Sequence, residues 1–323
     1  MNIKVIINVL AFVFLSGCTQ AYKFPRDISR KQNTEPTLLS SHIVLADGKT
    51  LYAVNTIDES DNPIIIGIHG LGGHAEGFYY FIKYSIQNGI SFLAFDLRGF
   101  GHWENNRGDI ESLKIWLLDI KDVILTIKKK YPNRKILLLG ESLGASIVFW
   151  YCSEYKDIPT AMPDGIISLS IVTRPESRIN FSNIIDGTIG YLFYPKKKIS
   201  IGLVTEKITD RRDTLKVTKV SFRLLLQSKQ IIGQTPGYIS QIYFPILAFQ
   251  GGRDDYSTPE DVEEIVSRMR YKKFIFMDEC KHSMLTGICK DNVFKSIKNW
   301  TNEFKNTFDK PKQPNLKLIE EFN

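Results

Sequence analysis

Six short, unbroken apolar runs punctuate the chain, at residues 64–68, 91–95, 136–139, 166–169, 246–249 and 274–276. A strand with one wet face alternates apolar and polar residues, whereas a continuous run needs cover on both faces. The runs therefore predict the inner strands of a mostly parallel sheet lying between two layers of helices. Helical stretches fall between them, at 113–131, closed by Pro132, and at 260–269, preceded by Thr258-Pro259. Thr258 suits the N-cap, Pro259 the first turn and Asp261 the positive end of the helix dipole. Upstream, residues 43–45 and 51–54 flank Asp47-Gly48, a dipeptide suited to a tight hairpin turn, so the sheet is expected to open with an antiparallel hairpin. This alternation predicts an α/β fold in the form of a three-layer α/β/α sandwich.

The rhythm breaks between about 174 and 240, a stretch too long for one crossover helix. We read it as a cap inserted over the sheet. Residues 192–194 and 224–226 could line an acyl pocket and Lys196 to Lys198 could meet anionic headgroups, although core packing and surface charge account for them equally well. The 323 residues are 43% apolar and 24% charged, which supplies a core for one domain with an insertion. A net charge of +7 raises nucleic acid or an anionic membrane as partner. The lysines are scattered, with runs only at 128–130 and 196–198, and no nucleic-acid-binding motif accompanies them. Solvated faces are the simpler reading, and no nucleic-acid partner is expected.

Chemistry concentrates at Gly140-Glu141-Ser142-Leu143-Gly144, which directly follows a predicted strand and precedes the helical stretch 145–151. A serine presented at the apex of a sharp strand-to-helix turn needs near-absent side chains two residues before and after it. Its hydroxyl is a poor nucleophile unless an imidazole accepts the proton and a carboxylate orients that imidazole. The run at 246–249 leads into Asp254 and Asp255, and the run at 274–276 leads into His282, the one histidine of five that lies beyond the acids. These residues leave the choice between Asp254 and Asp255 open. An oxyanion needs two backbone donors. Leu143 supplies one at the turn, and Leu71, within His69-Gly70-Leu71-Gly72-Gly73-His74, is the candidate for the other. A metal-dependent hydrolase built on His69, His74 and Asp96 is a weaker reading, since no HExxH or CxxC spacing supports it.

The segments 69–74, Asp96-Leu97-Arg98-Gly99-Phe100-Gly101, Arg107-Gly108 and the serine turn together resemble the monoacylglycerol lipase and lysophospholipase branch of the α/β-hydrolases, over roughly residues 41 to 305. The resemblance implies an α/β-hydrolase fold and a catalytic triad of Ser142, Asp254 and His282, with Asp255 as the alternative acid. It also implies oxyanion amides at Leu71 and Leu143, a cap at 174–240, and a lipid-like ester as substrate. The chain departs from the family pattern at Phe100, Trp103 and Ala145, all near the substrate pocket by that resemblance. Neither metal nor nucleotide is needed for such a mechanism, so no cofactor is expected. The same machinery could act on a thioester or amide, or transfer the acyl group. An inactive relative serving as an envelope binding protein is the alternative from another class.

Near the start, Lys4, an apolar stretch at 5–15 and Leu15-Ser16-Gly17-Cys18 resemble a bacterial lipoprotein signal peptide with its lipobox. The apolar stretch falls short of the roughly 20 residues that span a bilayer. The resemblance implies that residues 1–17 are removed, that Cys18 is lipidated, and that the protein is anchored in the bacterial cell envelope. Residues 18–40 then read as a tether, 41–310 as the catalytic domain and 311–323 as a polar tail. Cys152, Cys280 and Cys289 remain. A Cys280–Cys289 bridge, suggested by their closeness in sequence, and three unpaired buried thiols stand as equal alternatives.

Overall fold

Alternation along each inner strand splits its side chains between two cores. In a computed structural model describing residues 37–38, 42–173, 193–202 and 213–307, with side chains to 304, Ile64, Ile66, Ile136 and Leu138 enter one core while Ile65, Leu137 and Leu139 enter the other. Both cores are lined by buried apolar side chains, as unbroken apolar runs demand. Cys18, the tether up to residue 36, the tail at 311–323 and parts of the cap segment at 174–192 and 203–212 lie outside the described residues.

The strands are β1 (Thr37–Leu38), β2 (His42–Val44), β3 (Thr50–Asn55), β4 (Ile64–Ile68), β5 (Ser91–Phe95), β6 (Ile136–Glu141), β7 (Gly165–Leu169), β8 (Lys198–Ser200), β9 (Lys219–Ser221), β10 (Ile246–Gly251) and β11 (Lys272–Met277). Nine of them form one sheet in the order β1-β2-β3-β5-β4-β6-β7-β10-β11. β1, β2 and β3 run antiparallel and join β5 in the same sense, and the remaining strands pair in parallel. The opening hairpin turns at Gly48, which sits at φ 77° and donates its amide to Leu45 O at 2.9 Å. β1 falls within the stretch read as tether, where Thr37 and Leu38 pair with Val44 and Ile43. β11 is an edge strand and leaves Phe276 exposed, so its apolar run is covered less fully than its composition suggested.

The helices are α1 (Tyr79–Asn88), α2 (Lys114–Lys130), α3 (Leu143–Glu154), α4 (Phe222–Ile239), α5 (Pro259–Ser267) and α6 (Lys290–Thr307). One core packs under α2 and α3 through Trp116, Ile120, Ile147 and Phe149. The other packs under α1 and α6 through Phe81, Phe294, Ile297 and Trp300. Thr258 caps α5, its hydroxyl accepting from the Asp261 amide at 3.3 Å. Residues 222–239, read from sequence as part of the cap, form α4, whose Tyr238 ring stacks on Trp150 of α3 at 6.4 Å. α4 thus joins the helical layer as the crossover into β10, because its apolar stripe finds cover there. Ahead of it β8 and β9 form a small antiparallel hairpin of their own.

Chain order reverses at β4, which has β5 on one side and β6 on the other. In open parallel sheets the crevice at such a reversal, beyond the carboxyl ends of the strands, is where ligands sit. The β4–β6 register pairs Ile68 with Gly140, so the turns that follow both strands emerge side by side. Among the described residues, no helix is long and apolar enough to cross a membrane.

Candidate active site

Ser142 stands at the switch between β6 and α3 with φ 58° and ψ −123°, a conformation that costs a non-glycine residue about 1–3 kcal/mol. The surrounding backbone enforces it. The Ser142 amide donates to Leu169 O of β7 at 2.9 Å, and the Ala145 amide donates to Ser142 O at 3.0 Å. A side chain on either flanking glycine would break the turn: a Cβ on Gly140 would lie 2.5 Å from Gly144 O, and one on Gly144 would lie 2.2 Å from Ile68 O. The spacing of glycines around Ser142 is therefore a packing requirement of this strand–turn–helix.

The loop beyond β11 brings His282 to that serine. The Ser142 hydroxyl and His282 Nε2 are 2.8 Å apart, while His282 Nδ1 lies 2.8 and 3.0 Å from the two Asp254 oxygens. With Nδ1–H donating to the carboxylate, Nε2 is left to accept the serine proton. The Asp254 side chain is fully buried and also accepts from Gln250 Nε2 at 2.8 Å and from the Tyr256 amide at 2.8 Å. These donors fix the orientation of the carboxylate that faces the imidazole. Asp255 is exposed, and the carboxylate that His282 meets is that of Asp254. Ser170, at φ 54°, donates its hydroxyl to the His282 carbonyl at 2.6 Å, and the Tyr256 ring lies 4.6 Å from the imidazole.

A disulfide joins Cys280 to Cys289 and brackets His282, leaving Cys152 as a buried free thiol whose pKa is pushed well above its usual value by burial. Of the two arrangements left open by the cysteine spacing, the structure thus has the bridged one. Closing so short a loop removes about 2–3 kcal/mol of chain entropy from the unfolded state. The Arg253 amide donates to Cys280 O at 2.9 Å, which ties the histidine loop to the acid loop.

The glycine-rich turn after β4 lies against the serine: a Cβ on Gly70 would come 3.0 Å from Ser142 Cβ. The Leu71 amide is next along this turn, and the Leu143 amide opens α3, where a helix leaves its first donors without internal partners. Leu71 thus follows the glycine that lies against Ser142, and Leu143 follows Ser142 itself. His69 anchors the turn to the body, donating Nδ1–H to Gly70 O at 2.8 Å and accepting the Leu97 amide at Nε2 at 3.1 Å. Burial pushes its pKa down to about 4. Asp96 holds the far end, accepting from the Ala75 amide at 2.7 Å. His69 thus serves the backbone, Asp96 also meets the His102 imidazole at 3.0 Å, and His74 faces Asp213 at 2.9 Å. Among the described residues, no group of three or more His, Cys, Asp or Glu side chains is placed to hold a metal ion. Phe100 packs edge-on against His69 with ring centres 5.5 Å apart, which accounts for an aromatic residue there.

Gln250, Tyr256, Ser170 and Asp213 were not singled out by sequence. Gln250 carried a faint signal, as a polar residue closing an otherwise apolar run; Tyr256 acts through its amide on nearby Asp254 and its ring beside His282, and Ser170 and Asp213 act through tertiary contacts that no local pattern encodes.

With this geometry in view, comparison with known proteins is decisive. The family model described as "Serine aminopeptidase, S33" matches residues 59–287. The chain belongs to the serine aminopeptidase S33 family. Among relatives of this S33 chain, mouse monoglyceride lipase is 31% identical over 140 residues, covering 42% of the chain and 45% of the mouse protein. An uncharacterized abhydrolase-domain protein of Dictyostelium discoideum is 24% identical over 81% of the chain but only 29% of its own length. The matches to these relatives therefore span less than half of the relatives' length. A solved structure of Saccharomyces cerevisiae monoglyceride lipase superposes with a TM-score of 0.68 at 19% identity, covering 87% of the chain and 99% of the yeast chain. A Paleococcus ferrophilus monoacylglycerol lipase gives 0.64 at 18% identity, with 78% and 98% covered. These likenesses establish the α/β-hydrolase fold.

Two outcomes follow from the site. Asp254→Asn should cut ester turnover by about 10⁴ while leaving the melting temperature within a few degrees, whereas Asp255→Asn should leave turnover within about twofold. The reverse pattern in steady-state assays would transfer the acid role to Asp255. His69 makes a pH prediction. Its folded pKa of about 4 lies below the ordinary value near 6.5, so the unfolded chain binds more protons between those limits. Its contribution, up to about 3 kcal/mol, is complete above pH 6.5 and lost as the pH falls toward 4. Urea melts across that window should show stability falling with pH in the wild type and less steeply in His69→Gln; equal slopes would assign the loss to other groups.

Proposed function

We propose that the protein is a membrane-tethered serine hydrolase that cleaves a carboxylic ester of a lipid-like substrate, such as a monoacylglycerol or lysophospholipid. The observation that carries this reading is the 2.8 Å contact between Ser142 Oγ and His282 Nε2, with the imidazole held from behind by buried Asp254. In this reading Ser142 Oγ attacks the ester carbonyl carbon as its proton passes to Nε2. The carbonyl π electrons move onto oxygen, where the Leu71 and Leu143 amides stabilise the charge. Collapse of the tetrahedral intermediate expels the alcohol, which takes the proton from the imidazolium and leaves an acyl group on Ser142. Water, activated by His282, then attacks the acyl-enzyme and releases the carboxylic acid.

The lipid character of the substrate is supported by the relatives. Besides the monoglyceride lipases, a Haemophilus influenzae protein named a probable lysophospholipase is 22% identical over 68% of the chain and 75% of its own length. Anchoring through Cys18 is supported by the pattern Leu15-Ser16-Gly17-Cys18 behind a short apolar stretch, and two or more acyl chains on one cysteine give stable membrane attachment. An envelope location also suits the Cys280–Cys289 bridge, since disulfides persist in oxidising compartments.

Purified protein lacking residues 1–18, offered acyl esters of graded length, monoacylglycerols and lysophospholipids, should hydrolyse at least one class, and Ser142→Ala should lower kcat by about 10³ or more. Equal turnover in Ser142→Ala, or no hydrolysis of any ester by the parent protein, would overturn the assignment. For the anchor, the full chain expressed in a bacterium should fractionate with membranes and incorporate labelled palmitate, and Cys18→Ala should lose the label. Retained label in Cys18→Ala would place the lipid elsewhere.

A further inference from the structure

The glycine-rich turn at 69–74 carries the Leu71 amide, and its position depends on what grips it from outside. Glycines at 70, 72 and 73 give it little rigidity of its own, with Gly72 at φ 76°. Two grips come from the hydrolase body, namely His69 to the Leu97 amide and Asp96 to the Ala75 amide. The other two come from residues 213–217, which lie within the stretch expected to form the cap. The Val217 amide donates to Gly72 O at 2.9 Å, and His74 Nε2 meets Asp213 Oδ2 at 2.9 Å. Both partners of this pair are buried, with side chains 3% and 7% exposed.

The pair is built to hold. Asp213 Oδ1 accepts from the Leu215 amide at 3.0 Å and the Lys216 amide at 3.2 Å, so the carboxylate fixes the turn that carries it. Arg107 clamps the same turn by donating to the carbonyls of Thr214 and Leu215. Burial alone would raise the Asp213 pKa, but hydrogen bonds and charge from His74, with the two backbone amides, bring it below the ordinary value. His74 has no second grip, because its Nδ1 is buried without a hydrogen-bond partner. Asp213 is therefore the whole of the polar support of this imidazole, and its loss leaves a buried ring unpaired three residues from Leu71.

We propose that Asp213, acting through His74, is a positioning residue for the oxyanion turn, so that this segment of the expected cap sets the placement of the Leu71 amide. This rests on the serine-hydrolase reading and deepens it: the cap does more than shape a pocket for the substrate, because its seating on the body and the stabilisation of the tetrahedral intermediate share one contact. A group that stabilises charge only in the transition state alters kcat and leaves KM largely alone.

The test compares Asp213→Ala and Asp213→Asn with the wild type, using a soluble short-chain ester and amide hydrogen exchange. Asp213→Ala should lower kcat about ten- to a hundredfold, less than outright loss of an oxyanion donor, with KM within about threefold. Asp213→Asn, which keeps the shape and the turn's acceptor, should lie closer to wild type. Exchange in peptides covering 69–75 should quicken in Asp213→Ala, while that in 136–142 stays unchanged. Unchanged kcat, or exchange at 69–75 equal to wild type, would overturn the proposal, as would exchange quickened uniformly across the chain. The exchange measurement needs no turnover, so the proposal is decided even if Ser142 proves not to be the nucleophile, and a wild type whose turnover survives Ser142→Ala would sink the hydrolase reading separately.

Discussion

The hydrogen bond between Ser142 and His282 joins residues 140 positions apart in sequence, and the remainder of the structure is arranged so that it can form. Parallel pairing of β4, β6, β7, β10 and β11 sends every relevant turn to the same sheet edge. The register does the rest. Gly140 pairs with Ile68 and with Ser168, so the serine turn has the glycine-rich turn at 69–74 on one flank and Ser170 on the other. Gly251 pairs with Met277, which brings the acid loop and the histidine loop out together. A slip of one residue in any of these pairings would swap the two faces of a strand and separate the groups.

Rigidity around this contact comes from backbone hydrogen bonds and covalent closure more than from ion pairs. Ser142 is held in a left-handed conformation by β7 and α3, and the His282 loop is closed by a disulfide and pinned through its carbonyl by Ser170. Asp254 is saturated with donors. In the proposed mechanism such a site would meet developing charge with groups already in place, without reorganisation at the moment of reaction. Among the described residues, the glycine-rich turn at 69–74 takes two of its hydrogen bonds from residues 213–217 of the expected cap segment.

Much of this was legible in the sequence, for physical reasons. Buried parallel strands leave continuous apolar runs, so β4, β5, β6, β7 and β10 could be placed to within a residue or two. A nucleophile turn needs small residues at fixed offsets, so Gly140 and Gly144 marked Ser142. His282 stood out because histidines are few and only one follows the last strand. What escaped was set by tertiary contact. α4 looked like cap because its apolar residues do not reveal which layer they cover, and it joined the helices against α3. α1 and α6 are amphipathic, yet were hidden by mixed composition at their ends. Ser170 and Asp213 perform their parts through bonds to residues distant in the chain, His282 and His74. β11 read as a buried strand because its three apolar residues gave no sign that it would lie at the edge.

The central claim is that Ser142 is the nucleophile and is activated by His282 across the strand ends. Reaction of the purified protein with a fluorophosphonate, followed by peptide mapping, interrogates this directly, because the reagent phosphonylates only a serine whose hydroxyl is activated. A single adduct on the peptide containing Ser142, lost when His282 is replaced by Ala, is the predicted result. An adduct on another residue, or one on Ser142 that forms equally fast without His282, would contradict the account.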